Sequence, residues 1–232
     1  MIGIFSDVHG NLGALDALLN IFKAQNVETI YFLGDSIGYI PDARVVRRLR
    51  QVEHKCHCIR GNHEEFLLNS TICQKNDEIY QLNSIKQALS TEDIDYLNSW
   101  PQKRVIDLDI GACLFVHGGP NDNLNEYIYP DVELENFNTG HDFIFCGHTH
   151  RPFISTSSKT TFVNVGSCGL PRDNGQLGSY CILDTKEQTI SVGRFDISEH
   201  HRYVESNFHL HDSVKSVFQR TEKVSNINFR IK

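Results

Sequence analysis

Hydrophobic positions in the first third of the chain alternate between the spacing of strands and that of helices. Short apolar and β-branched runs predict strands at residues 2–6, 29–33 and 56–59. The buried face of an intervening helix is marked by five residues: Leu12, Leu15, Leu18, Leu19 and Phe22. Residues 44–50 have apolar positions at helical spacing, which predicts an amphipathic helix with Pro41 as its first residue. This alternation predicts a parallel sheet.

The middle of the chain predicts helices, and the part after Pro101 predicts closely spaced strands. Within residues 70–100, one helical face carries four apolar residues: Ile79, Leu82, Ile85 and Leu89. Ser90 and Asp93 resemble a capping box before a short helix that ends near Trp100. Seven short apolar runs then predict hairpins and a second sheet packed on the first: 104–108, 113–116, 143–146, 153–156, 161–165, 180–183 and 189–192.

The chain is expected to form a single domain over residues 1–232. No repeat or linker divides it, and its 232 residues suffice for one large core. We expect a motif-bearing core at 1–195 and a polar tail at 196–232, with a helix near 212–220. Gly, Pro, Asp and Asn predict a loop at 166–178, and the helical segment 70–100 is a candidate for part of a cap over a functional site.

Composition narrows the range of partners and compartments. The seven cysteines are odd in number and several lie in apolar runs, which favours free thiols and a cytoplasmic location. No apolar run approaches the ~18 residues of a membrane span. The formal charge of −7 argues against binding a long nucleic acid, since phosphate backbones require clustered Lys and Arg. A homo-oligomer is compatible with the sequence.

Polar side chains that can bind metals follow the ends of successive predicted strands. The motifs, in chain order, are Asp7-Val8-His9-Gly10-Asn11, Gly34-Asp35, Gly61-Asn62-His63-Glu64, His117-Gly118 and Gly147-His148-Thr149-His150. Each alone is compatible with a turn or a structural histidine. Strand ends carry the chemistry of α/β proteins, however, and carboxylates, imidazoles and an amide oxygen together suit two divalent cations. The joint pattern therefore favours two-metal hydrolysis of a phosphate ester.

Other histidine and cysteine clusters have weaker support as metal sites. Alternation along a strand sends Cys56 and Cys58 to one face and His57 to the other, so these three side chains cannot converge on one ion. The paired histidines of the tail lack companion ligands and are expected at the surface: His200, His201, His209 and His211.

The strand-end motifs resemble the signature of the calcineurin-like metallophosphoesterases, which reads D-x-H, G-D, G-N-H-[DE], a later H and G-H-x-H. The resemblance runs from residue 1 to about residue 195. Segments 34–42 and 166–173 are similar to those of small prokaryotic members of the phosphodiesterase type. The resemblance implies an α/β fold, a four-layer α/β/β/α sandwich of two mixed sheets flanked by helices, with metals where the strand ends meet.

The resemblance also implies roles for individual residues. It assigns seven ligands to two metal ions: Asp7, His9 and His150 to the first, Asn62, His117 and His148 to the second, and Asp35 to both. His63 would be the general acid, protonating the leaving alkoxide or stabilising the equatorial oxygens. Three residues are candidates for binding the phosphate: Asn11, Arg60 and Arg172. Tyr39 would either stack on an aromatic leaving group or pack.

The implied activity is hydrolysis of a small phosphorylated substrate, more specifically a phosphodiester, by a hydroxide that bridges the two metals. Mn²⁺ is the favoured ion, and Fe²⁺, Zn²⁺, Ni²⁺ or Co²⁺ also suit the ligands. Alternatives are a phosphomonoesterase, a protein Ser/Thr phosphatase or a dinucleoside-polyphosphate hydrolase. The same fold also includes a non-catalytic interaction scaffold, but members of that kind typically lack parts of the ligand set that this chain keeps.

Overall fold

In the computed structural model, which describes residues 1–69, 74–137, 140–157 and 159–231, two mixed β-sheets pack face to face. The strands are β1 (Ile2–Phe5), β2 (Thr29–Phe32), β3 (Cys56–Cys58), β4 (Lys103–Leu108), β5 (Gly111–Val116), β6 (Phe143–Cys146), β7 (Phe153–Thr156), β8 (Thr161–Asn164), β9 (Leu177–Asp184), β10 (Thr189–Asp196) and β11 (Ile227–Arg230). The first sheet has the order β11-β10-β9-β1-β2-β3, and the second has the order β4-β5-β6-β8-β7.

Both sheets contain a parallel part. β1, β2 and β3 run parallel, which confirms the prediction made from the strand–helix alternation. In the second sheet β5, β6 and β8 run parallel, with antiparallel β4 and β7 at the edges. The predicted hairpins form, but β9 and β10 do not join the second sheet. They extend the first sheet instead, because β9 pairs with the free edge of β1, placing Ile4 opposite Cys181.

Five helices pack on the outer face of the first sheet: α1 (Leu12–Ala24), α2 (Arg44–Gln51), α3 (Asn62–Asn69), α5 (Leu82–Ala88) and α6 (Thr91–Asn98). Helices α4 (Gln74–Tyr80), α7 (Ser198–Asn207) and α8 (Asp212–Phe218) contribute to a separate hydrophobic cluster. Phe5 and Phe32 point outward from β1 and β2 into a buried cluster with Leu15 and Phe22 of α1 and Leu49 of α2. Burying a phenylalanine of this kind contributes about 1.5–3 kcal/mol.

The remaining two layers are the second sheet and the segment that covers its outer face. Phe115 is buried between the sheets, with its ring centroid 4.3 Å from that of Tyr31 and 5.0 Å from that of Phe145. On the opposite face, Ile144 packs under Ile128 and the segment that contains the 3-10 helix Leu134–Asn136. The fold is therefore the four-layer α/β/β/α sandwich of two mixed sheets that the resemblance implied.

Helix α2 begins later than the sequence predicts. The expected first residue, Pro41, lies before the helix, which begins at Arg44. The preceding backbone makes consecutive tight turns, with Ile40 N–H donating to Gly38 and Asp42 N–H donating to Ile40. The Asp42 carboxylate then accepts from the Arg44 backbone N–H at 3.1 Å. The helix therefore begins after these turns rather than at the proline.

The helical middle is divided into two helices where a single apolar face is predicted. Gln81, between α4 and α5, has φ +54°, so the helical face does not continue past it. Leu82 and Ile85 pack against the first sheet, whereas Ile79 packs in a separate cluster with Leu210. The Ser90 capping box of α6 is confirmed. Residues 70–73 of the predicted cap segment lie outside the described residues.

The tail contains more structure than its polar sequence predicts. The helix near residue 212 is confirmed as α8, but α7 and β11 were not predicted. β11 is short, and only alternate side chains such as Phe229 face the core. His201, predicted at the surface, is buried because its ring stacks on Phe218 at 3.9 Å and its Nε2 lies 3.0 Å from the Gly169 carbonyl oxygen. His209 is exposed, as expected.

The described cysteines are free and buried: Cys56, Cys58, Cys113, Cys146, Cys168 and Cys181. On β3 the two cysteines face inward and His57 faces solvent, which confirms that these three side chains do not converge. A search of the described residues for a helix with the length and apolarity of a membrane span finds none.

Candidate metal centre

Five loops that follow strands meet at one end of the two sheets. The Asp7 backbone N–H donates to the Gly34 carbonyl at 3.0 Å, which joins the loops after β1 and β2. The His148 N–H donates to Asp7 Oδ2 at 3.0 Å, and the His63 N–H donates to Asp35 Oδ1 at 2.9 Å. Carboxylates from the first sheet therefore fix the backbone of the loops around them.

The converging side chains form three overlapping groups of ligand atoms. The groups are Asp7, His9 and His150; His9, Asp35 and His63; and Asp35, His117 and His148. Within each group all ligand atoms lie within 4.8 Å of one another, and every member is buried. Polar atoms at this density and depth are costly unless they hold a cation or satisfy one another.

Asp35 lies between the two outer groups. Its Oδ2 is 3.6 Å from His9 Nε2 on one side and 3.2 Å from His117 Nε2 on the other. His117 Nε2 also lies 3.0 Å from Asn62 Oδ1 and 3.1 Å from His148 Nδ1. One carboxylate is thus shared by two clusters, which is the geometry expected of a bridging ligand.

Several of these residues have left-handed backbone conformations. Positive φ angles occur at Asp7 (56°), His9 (49°), Asp35 (60°), His148 (64°) and His150 (58°). Such conformations cost about 1–3 kcal/mol each in non-glycine residues and persist where the surroundings enforce them. The strained residues are mostly those whose side chains face the cluster. These conformations lower the stability of the fold and direct the side chains toward one another.

Two glycines allow the loops after β2 and β3 to approach. Gly34 has φ +93°, and a Cβ on it would lie 2.4 Å from the Gly61 nitrogen. A Cβ on Gly61 would lie 2.2 Å from Asp35 Oδ1. Neither position has space for a side chain, which explains why both motifs carry glycine before the ligand.

Both buried carboxylates are held in the ionised form. Burial alone would raise the pKa of Asp7, but the nearby imidazoles of His150 and His117 lower it well below its ordinary value. Burial likewise opposes ionisation of Asp35, yet His117 and His63 hold the pKa of that carboxyl below its usual range. At neutral pH the centre therefore carries two buried negative charges, which attract cations.

The histidines divide into neutral and protonated groups. Burial lowers the pKa of His148 to about 3 and that of His150 to about 4, so both imidazoles are neutral and able to bind a metal. Burial also opposes the protonation of His117, but the charges of Asp35 and Asp7 raise its pKa to about 9. A proton on His117 therefore competes with a cation for the same nitrogen.

Unpaired nitrogen and oxygen atoms show that the centre fits metal ions. The Nδ1 atoms of His9 and His150 lie at hydrogen-bond distance from backbone carbonyl oxygens, so each donates Nδ1–H and directs the Nε2 lone pair inward. These two Nε2 atoms are 3.0 Å apart. Among the described residues, Asp7 Oδ1 and His148 Nε2 are buried without a hydrogen-bond partner. A cation between such atoms would remove both the repulsion and the desolvation cost.

Metal ions are therefore expected to stabilise the protein against heat. Mn²⁺ at 100 times its dissociation constant would contribute about 2.7 kcal/mol per site, which corresponds to a rise in Tm of roughly 5–10 °C for a chain of this size. Differential scanning calorimetry of chelator-stripped protein with and without Mn²⁺ measures this. The Asp35→Asn variant is the matched control and should show a smaller rise. Equal Tm values for stripped and Mn²⁺-treated wild-type protein would contradict a metal centre.

Glu64 stabilises the loops that carry the ligands, a role that the sequence did not reveal. Its buried carboxylate accepts hydrogen bonds from the backbone N–H groups of Asp35 (2.8 Å), Ser36 (2.7 Å) and Gly61 (2.8 Å). Burial and the charge of Asp35 raise the pKa of Glu64, and these hydrogen bonds oppose the rise. Its position at the end of the Gly61-Asn62-His63-Glu64 motif was the available signal.

The three candidates for phosphate binding lie in different environments. Asn11 is buried, and its amide is engaged in capping α1 through Ala14 N–H and in donating to the Gly169 carbonyl. The Arg60 guanidinium donates to the Glu65 carboxylate and to the carbonyl of the last residue of α6. Arg172, in contrast, lies close enough to His150 for its charge to lower that imidazole's pKa. We therefore base the proposal for phosphate binding on Arg172.

Tyr39, for which stacking or packing was left open, is packed. Its ring contacts those of His9 at 4.8 Å, His63 at 5.0 Å and Tyr80 at 5.2 Å. Its hydroxyl accepts from Arg172 at 3.1 Å, and burial raises its pKa. Tyr39 supports the guanidinium and the imidazole beside it. The contacts to Tyr80 bring the end of α4 next to the centre.

Comparison with known proteins gives a family match over most of the chain. Residues 1–188 match the calcineurin-like phosphoesterase superfamily domain. An uncharacterised protein of Methanocaldococcus jannaschii is 30% identical over 231 residues, covering 89% of this chain and 93% of that protein. Phosphodiesterase YfcE of Escherichia coli is 26% identical over 189 residues, covering 77% of this chain and 84% of its own length.

Solved structures agree with the sequence comparison. The crystal structure of a metallophosphoesterase from Sphaerobacter thermophilus superposes with a TM-score of 0.73 at 27% identity, covering 94% of this chain and 98% of the other. The two-sheet fold is therefore that of a metal-dependent class of proteins, and the buried Asp and His clusters of this chain could hold metal ions.

Proposed function

Because the chain belongs to the calcineurin-like phosphoesterase superfamily, we propose that it is a single-domain hydrolase that cleaves phosphate esters, preferably diesters, with two divalent cations. The diester preference is supported by the relative named phosphodiesterase YfcE. The observation that carries the proposal is the shared carboxylate of Asp35 between two buried ligand clusters.

The proposed ligand set follows from the clusters. One ion would be held by Asp7, His9 and His150, and the other by Asn62, His117 and His148, with Asp35 between them. Mn²⁺ is the ion we expect to support activity, since the ligands are oxygen and imidazole nitrogen without thiolate. When bound, such a pair lowers the pKa of water and withdraws charge from phosphoryl oxygens.

His63 is proposed to assist departure of the leaving group. It is buried beside the centre, with Nε2 3.9 Å from Asp35 Oδ2, and its Nδ1 has no hydrogen-bond partner among the described residues. Burial lowers the pKa of His63 to about 3, opposed by Asp35. A bound phosphate anion favours the protonated imidazole, which can then transfer its proton to the leaving oxygen.

Arg172 is proposed to bind the phosphate. Tyr39 holds the guanidinium at 3.1 Å, and the remaining N–H groups can donate to phosphoryl oxygens as a fork. Because Arg172 lies beside His150, this contact would place the phosphorus over the ligand cluster. The residue would then orient the substrate for in-line attack.

Parallel assays of bis-p-nitrophenyl phosphate and p-nitrophenyl phosphate test the proposed function. We expect Mn²⁺-dependent turnover, with kcat/KM for the diester about tenfold or more above that for the monoester, a difference of roughly 1.4 kcal/mol in transition-state stabilisation. Chelator-stripped protein without added metal is the control. A faster monoester reaction would reassign the substrate class, and inactivity on both esters with Mn²⁺, Ni²⁺ and Zn²⁺ would contradict the proposal.

A further inference from the structure

Two exposed tyrosines lie beside the metal centre, in the segment that connects β5 to the 3-10 helix. Tyr127 and Tyr129 are 49% and 39% exposed. Their rings are nearly parallel, with an interplanar angle of 10° and centroids 5.9 Å apart. The Tyr127 ring lies 4.1 Å from the ring of His148, one of the proposed ligands. We call Tyr127 and Tyr129 the tyrosine platform.

The segment around the platform is anchored, so the exposure of the two rings is built into the fold. Ile128, between them, is 1% exposed and packs on the outer face of the second sheet. The Glu126 carboxylate accepts from the Asn121 backbone and side-chain N–H groups, each at 2.9 Å. The Asp122 carboxylate accepts from the Leu124 N–H at 3.0 Å. Exposed aromatic rings held in place by the fold offer apolar surface to a ligand.

Arg172 connects the platform to the proposed phosphate position. Its guanidinium donates to the Tyr39 hydroxyl at 3.1 Å and lies close enough to the Tyr127 side chain for that side chain to raise the pKa of Arg172. Arg172 therefore lies beside both the proposed phosphate position and the tyrosine platform. A ligand that fits both has a phosphate joined to a planar ring system.

We propose that the tyrosine platform stacks on a nucleobase, so that the substrates are nucleoside phosphodiesters of one or two nucleotides. This inference rests on the proposed function and specifies its substrate class. Stacking on aromatic side chains binds any base, because every base has a π-face. The formal charge of −7 disfavours a long nucleic acid, so we assign a ligand of one or two nucleotides.

Calorimetric titration of the Mn²⁺-loaded full chain with adenosine 5′-monophosphate and with ribose 5-phosphate tests the platform. The two ligands share the phosphate and sugar and differ in the base. We expect the nucleotide to bind about tenfold more tightly. Tyr127→Ala and Tyr129→Ala should each reduce the ratio of the two affinities severalfold. Tyr127→Phe, which keeps the ring, should preserve that ratio. Tyr203→Ala, at an exposed tyrosine on α7, is the matched control.

The outcomes separate this inference from the proposed function. Equal affinity for the two ligands in protein that hydrolyses bis-p-nitrophenyl phosphate would contradict the proposed role of the platform and leave the proposed hydrolase function unaffected. An unchanged ratio in both alanine variants would also overturn it. A base preference in protein that hydrolyses neither ester would support the platform and contradict the hydrolase. If neither ligand binds, the platform proposal is wrong.

Discussion

Replacing Asp35 with Asn is expected to lower kcat/KM by about 10³-fold, because a shared carboxylate supports several kcal/mol of transition-state stabilisation at both ions. The substitution preserves the shape of the side chain and keeps an oxygen. In the wild-type structure the His63 backbone N–H donates to this oxygen at 2.9 Å, and it can still do so in the variant. It removes the negative charge between His9 and His117, which attracts the cations. The fold should remain intact, since the amide fits the same space.

Steady-state kinetics on bis-p-nitrophenyl phosphate with saturating Mn²⁺, together with circular dichroism, measures this effect. Asp16→Asn is the matched control, because Asp16 is a partly exposed carboxylate that pairs with Arg48 on the outer helices. Its kcat/KM should match that of the wild type. Full Mn²⁺-dependent activity in folded Asp35→Asn protein would show that Asp35 does not hold the ions.

Replacing His63 with Gln is expected to lower kcat by about 10²–10⁴-fold for an ester with a poor leaving group. The reason is that a poor leaving oxygen requires a proton in the transition state, and the buried imidazole is proposed to supply it. A good leaving group such as p-nitrophenolate needs less help, so its ester should lose less activity. Mn²⁺ binding should be unchanged, because Asn62 rather than His63 is the proposed ligand of α3.

Comparison of diesters with phenol and p-nitrophenol leaving groups separates proton donation by His63 from stabilisation of the equatorial oxygens. The kcat ratio between wild type and His63→Gln should be larger for the phenol ester. An equal loss for the two esters would favour the alternative in which His63 stabilises the equatorial oxygens. His209→Gln is the control, since His209 is exposed. Wild-type kcat on both esters in His63→Gln protein would exclude either catalytic role.

The convergence of the ligands was predictable from the sequence because each motif follows an apolar run that forms a strand. Parallel strands place their carboxyl ends at one edge, so Asp7, Asp35 and Asn62 had to meet if β1, β2 and β3 paired in parallel. The second sheet contributes His117 and His148 in the same way, after β5 and β6. The layering itself came from the family resemblance.

Other features depend on tertiary contacts that leave no local pattern. Asn11 follows a ligand motif, but its amide is used to cap α1 and bind the Gly169 carbonyl. His201 lies in a polar tail, and the ring of Phe218 buries it. Tyr127 and Tyr129 lie in an irregular loop. They are exposed because they flank a residue whose side chain is buried. For Asn11 and His201, the contacts to the Gly169 carbonyl and the Phe218 ring join segments that are distant or separately folded, and no local pattern announces them.

Titration of Mn²⁺ into chelator-stripped protein, with hydrolysis of bis-p-nitrophenyl phosphate measured at each addition, tests the two-metal centre most directly. The two clusters that share Asp35 predict that turnover rises from zero and saturates when two ions are bound per chain. Full turnover in the stripped protein, or saturation of binding at two ions without any turnover, would contradict the account.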